Sequence, residues 1–149
     1  MSFAQPSLKG RALRLLSGRE HSRAELERKL KPFEEEPGSL AQALDELQAK
    51  GFINEQRVIE SVVHRRAAKL GTARIKQELQ SKGLAPEAVS AALAGLQASE
   101  LERALAVWRK KFSQAPQNPK ETAQQMRFLA ARGFASEAIR AVVAGKFED

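Results

Sequence analysis

One offset governs what this chain can fold into. Leu26, Leu30, Leu40, Leu44 and Leu47 lie 49 positions before Ile75, Leu79, Val89, Leu93 and Leu96. Leu79, Gly83, Val89 and Leu93 precede Leu129, Gly133, Ile139 and Val143 by 50. A shift held across two apolar stripes and the glycine corner between them marks tandem copies of one unit. The apolar residues recur three and four apart, the period of a helix with one buried face. The spacing therefore predicts an all-α fold of three tandem three-helix repeats, residues 1–52, 53–98 and 99–149. Each copy is too small to bury its own apolar faces fully, so the repeats are expected to stack into an elongated, curved molecule.

The middle copy shows the punctuation. Gly71 is expected to end one helix in the left-handed conformation, and Thr72 to cap the next with its hydroxyl. Ile75 and Leu79 give that helix its apolar side, and Gly83-Leu84 closes it. Ser22-Arg-Ala-Glu25 is a capping-box pattern, Asn54 can cap a helix running to about Leu70, and Pro86 opens another. In the third copy Leu101, Leu105, Trp108 and Phe112 share one face. Ser113–Pro119 reads as the longest loop, before a helix over Thr122–Arg132 and a last one over Ser136–Ala144.

Charge is the functional clue. The chain carries 25 basic and 18 acidic residues, a net charge of +7. The excess is +1 over residues 1–50 and +3 over each of 51–99 and 100–149. Such a balance favours a polyanion, or a complex that carries one, as partner. The residues expected to form basic binding faces are Arg65, Arg66, Lys69, Arg74, Lys76 and Lys82 in the second copy. In the third they are Arg109, Lys110, Lys111, Arg127 and Arg132. Guanidinium and ammonium groups fixed on helices suit phosphates or a partner's carboxylates.

Catalytic patterns are missing. There is no cysteine, and His21 and His64 stand alone, so neither disulfides nor a zinc site are expected. No phosphate-binding glycine loop occurs. Glu34-Glu35-Glu36 reads as a solvated turn, and His64 as a surface residue. No apolar run is long enough to cross a bilayer, and the first residues do not look like a secretion signal. A cytoplasmic monomer with no cofactor and no enzymatic activity is expected. Few aromatics are present, and none stands out as a base-stacking platform.

Five segments, in order, resemble the RecX family of RecA-regulating proteins over nearly the whole chain. They are Ala12-Leu-Arg-Leu-Leu16, His21-Ser-Arg-Ala-Glu-Leu26, Gly51-Phe52, Arg74-Ile-Lys-Gln-Glu-Leu79 with Lys82-Gly83, and Gln125-Met-Arg-Phe-Leu129 with Arg132-Gly133-Phe134. The resemblance implies an elongated all-helical protein that binds RecA filaments on single-stranded DNA. It implies suppression of their ATP hydrolysis, strand exchange and co-protease activity in DNA repair and the SOS response, with weak direct DNA binding. Where relatives often carry a glycine-aromatic-glycine-proline corner, this chain has Lys69-Leu-Gly-Thr72. The alternative is a free-standing helical DNA-binding protein acting without RecA.

Overall fold

The computed structural model describes residues 5–147. Among them are nine α-helices, one 3-10 turn and no strand. The first unit holds α1 (Leu8–Gly18), α2 (Arg23–Leu30), the 3-10 turn Lys31–Phe33 and α3 (Ser39–Ala49). The second holds α4 (Glu55–Arg66), α5 (Thr72–Ser81) and α6 (Pro86–Ala98). The third holds α7 (Glu100–Lys111), α8 (Pro119–Ala131) and α9 (Ser136–Val143).

Each unit has its own core, built from the repeating positions. Leu26, Leu30, Leu40, Leu44 and Leu47 are buried around Ala12, and Ile53 joins them. Ile75, Leu79, Val89 and Leu96 pack with Val58, Ile59 and Val62. Leu129, Phe134, Ile139, Val142 and Val143 pack with Ala104, Leu105 and Val107. Three small cores in a row leave much surface. The chain exposes 9635 Å², against about 7,500 Å² for a compact monomer of its mass.

Several local expectations are corrected. The capping box forms at Ser22 and Glu25, and Asn54 caps α4. However, α4 stops at Arg66, and residues 67–69 turn before the corner. Helix α8 starts at Pro119 rather than Thr122, because Asn118 caps it and proline fits the first helical position. Leu101 is exposed, since Ala104 and Val107 supply the buried side of α7 in its place. Glu34 is not merely a turn tip: it accepts the Leu40 N–H at 2.9 Å and pairs with Lys31 at 2.7 Å, bracing the start of α3.

The corner at Gly71 is the larger correction. Its φ is −78°, not left-handed, and Thr72 is the first helical residue rather than the cap. Glycine is needed there for space: a Cβ would overlap the carbonyl of Gly133. Gly83 and Gly133 do take the left-handed conformation, at φ 66° and 88°, and close α5 and α8.

The units join at equivalent places, by a side-chain donor at one junction and a backbone donor at the other. At the first junction the Ser22 hydroxyl donates to the Lys82 carbonyl at 2.6 Å, and Gly83 lies against Ala24. At the second the Gly71 N–H donates to the Arg132 carbonyl at 2.7 Å, and Gly133 lies against Arg74. Ser22 and Gly71 are equivalent under the 49-residue shift, and Lys82 and Arg132 under the 50-residue one. The second helices thus meet end to end, the carbonyl end of α8 on the N–H end of α5, and that of α5 on α2. Opposed partial charges of the two helix ends make this arrangement favourable.

Candidate functional site

The second junction is held by two charged residues of α7. Glu100 is buried and accepts the Thr72 N–H at 2.7 Å with one oxygen and the Ala135 N–H at 3.1 Å with the other. It therefore satisfies one free N–H at the start of each of α5 and α9. Arg103 reaches back into the second unit and donates to the carbonyls of Ala67 (3.1 Å), Leu70 (2.6 Å) and Leu96 (2.9 Å), and to the Thr72 hydroxyl (3.0 Å). Burial draws its pKa below the usual guanidinium value, with the Glu100 charge acting in the opposite direction.

Beside this clasp the end of α4, the start of α5, the last turn of α7 and the end of α8 surround a groove of about 640 Å³. Its floor is apolar: Ala68, Leu70, Val107, Phe128 and Ala131. Its rim is Lys69, Arg74, Lys110, Lys111 and Arg132, and among the described residues no carboxylate lines it. Among the described residues none of these five cations is in a salt bridge. Arg74 is positioned by a 2.6 Å bond to the Ala131 carbonyl, and Arg132 lies 3.8 Å over the Phe128 ring. Unpaired positive charges over an apolar, low-dielectric floor concentrate a field that attracts anions.

The other residues read from the sequence are dispersed. Arg65 and Arg66 both face Glu78, at 3.8 and 3.0 Å, so part of their charge is answered within the second unit. Arg109 lies 5.6 Å from the Phe147 ring centre. Lys76 and Arg127 are exposed on α5 and α8 but do not line the groove. Lys82 lies on no face: it is buried, with its Nζ 3.3 Å from Glu25 at the first junction. Glu25 also accepts from Arg19 at 2.7 Å and from the Ser22 N–H at 3.0 Å. Burial by itself would raise its pKa, but these partners and the Lys82 charge hold it at about 2.

Nothing in the sequence marks the floor or the clasp as site residues. Leu70 and Val107 look like ordinary core positions, and Glu100 with Arg103 looks like one more helix pair spaced by three.

Comparison with known proteins places the fold. Residues 9–47 match a model described as the first three-helix domain of RecX, residues 54–93 the second and residues 98–143 the third. A relative named regulatory protein RecX in Leptothrix cholodnii is 52% identical over 139 residues, 93% of this chain and 88% of that one. The Herminiimonas arsenicoxydans protein of the same name is 45% identical over 149 residues, 100% of this chain and 99% of that one. The crystal structure of RecX from Lactobacillus salivarius superposes with a TM-score of 0.74 at 22% identity, covering 93% of this chain and 94% of the other, a likeness of fold. Three domain matches in the order of the three units, with relatives alike along nearly their whole length, make this chain a member of the RecX family of regulatory proteins.

Proposed function

We propose that this chain regulates RecA by binding RecA assembled on single-stranded DNA, and that it chiefly restrains the filament. ATP hydrolysis, strand exchange and the co-protease activity of the SOS response are the activities lowered. It acts without a cofactor and without catalysis of its own, as a cytoplasmic monomer. The observation that carries the reading is the groove: five cations converge on one apolar floor, with no salt bridge and no carboxylate lining among the described residues. Membership of the RecX family supports the choice of partner. Binding to DNA by itself is weak in this reading.

Titration into pre-formed filaments tests it, with ATP hydrolysis followed beside binding to the same oligonucleotide without RecA. Inhibition at concentrations well below those that bind the bare strand is expected. Lys110→Glu with Lys111→Glu should raise the inhibitory concentration about tenfold with helical content intact. Unchanged ATP hydrolysis at saturating protein would overturn the reading. Tight binding to bare duplex DNA, falling steeply with salt, would favour a protein acting on DNA alone.

A further inference from the structure

We infer that the groove between the second and third units takes an acidic protein segment with an apolar side chain at its centre, and not the phosphates of the DNA. This rests on the filament reading above and names what the groove touches there. The first ground is the floor. Leu70, Val107 and Ala68 give the groove an aliphatic base, and aliphatic surface gains from covering by another apolar group. A sugar-phosphate chain would leave that base wet or set its own polar atoms on it.

The second ground is the state of the aromatic ring. Single-strand sites use open ring faces on which bases stack. Phe128 offers none freely. The Arg132 guanidinium lies 3.8 Å over its centre, Lys111 Nζ is 5.8 Å away, and Phe112 meets it edge to face at 5.2 Å. Trp108, the one indole, donates its N–H to Gln125 at 2.8 Å and packs against the third core. Among the described residues the large exposed aromatics, Phe33 and Phe52, belong to the first unit.

The third ground is the rim. Arg74 and Arg132 are each held by a carbonyl, of Ala131 and of Phe128, through one guanidinium nitrogen. Each keeps further N–H groups for a carboxylate, and the planar fork suits a two-point contact. Lys69, Lys110 and Lys111 surround them as mobile point charges. The whole favours a short stretch in which Asp or Glu flanks one Leu, Ile, Val or Phe.

Zero-length carbodiimide coupling in the assembled complex of full-length chain, RecA and single-stranded DNA tests this. It joins a lysine amine only to a carboxylate in direct contact. Lys69, Lys110 and Lys111 should be joined to Asp or Glu of RecA at least about fivefold more than Lys120 and Lys146, exposed lysines outside the groove. The coupled RecA peptide should carry an apolar residue beside its acidic ones. In parallel, Ala68→Asp sets a carboxylate in the exposed part of the floor, and should weaken co-sedimentation with filaments at least tenfold while leaving thermal melting unchanged. Coupling spread evenly over exposed lysines, or groove lysines shielded to the same degree by the bare strand, would overturn the inference while the filament reading stood. Ala68→Asp binding filaments as the wild type does would overturn it too. Absence of any co-sedimentation by the wild-type chain would remove both.

Discussion

Glu100 and Thr72 are 28 residues apart and belong to different units, yet the carboxylate of one accepts the backbone N–H of the other at 2.7 Å. The same carboxylate serves Ala135 on the far side. One buried anion therefore ties the second unit to the third.

Glu100→Ala leaves two helix starts without an acceptor and the half-buried Arg103 without its counter-charge. A loss of about 3 kcal/mol is expected, the scale for breaking a buried charged pair. Glu100→Gln keeps an acceptor oxygen and should lose less. Urea unfolding of the two variants beside the wild type checks the order.

Two glycine-to-alanine changes should move in opposite directions. Gly71 has an ordinary φ of −78°, but a methyl group there would collide with the Gly133 carbonyl and the Phe134 nitrogen. Backbone cannot give way as a flexible side chain can, so Gly71→Ala should open the junction and lower stability. Gly95 lies inside α6, and a Cβ there meets nothing within 4 Å. Gly95→Ala should stabilise by about 0.5–1 kcal/mol, the helix penalty of glycine. Thermal melting of the pair reads both.

Lys82→Met should behave as a core mutation. It removes the 3.3 Å contact to buried Glu25, and a cost of about 3 kcal/mol is expected, the lower end for a disrupted buried pair because Arg19 still faces the carboxylate. Lys76→Met, on exposed surface, should change stability by under about 0.5 kcal/mol. Chemical denaturation of both variants separates a lysine that holds the units from one that only adds charge.

Acid should act on the first unit in two stages. His21 is buried, takes Arg19 and Lys29 as neighbours, and its pKa is lowered below 6.5, chiefly by burial. An imidazole whose folded pKa is lowered contributes stability that is present above its unfolded value and falls as pH drops from about 6.5 towards the folded value. Glu25 titrates from 4.5 when unfolded to about 2 in the fold. Its contribution, about 3 kcal/mol at about 1.4 kcal/mol per pKa unit, is complete above the unfolded value and disappears as pH falls through about 2. Urea midpoints between pH 8 and pH 2 should show both declines, and His21→Gln should flatten the upper one alone.

Much of the architecture was legible because its causes are local. The 3.6 period at Leu26, Leu30, Ile75, Leu79 and Leu129, the box at Ser22 and Glu25, and the glycines at 83 and 133 each act within a few residues. Expectation and structure part where a distant partner intervenes. The neighbours of Gly71 in sequence allow a left-handed stop, whereas the backbone of residue 133 is what demands a missing side chain. Spacing puts Leu101 on one face with Leu105, but the faces of α7 are apportioned by what packs against them, and Leu101 is exposed.

The basic residues divide by the same logic. Sequence counts show an excess of positive charge in the last two units, since charge needs no partner to be counted. Which cations converge is set by chain segments some 40 to 60 residues apart, and by which acids stand nearby. Lys82 meets Glu25 and is lost to the surface; Arg65 and Arg66 meet Glu78; Lys69, Arg74, Lys110, Lys111 and Arg132 gather around Leu70 and Val107. Helix, stripe and repeat follow from short-range sterics and periodicity. The groove follows from two units docking through Gly71 and Gly133, a contact that exists only after the helices have formed.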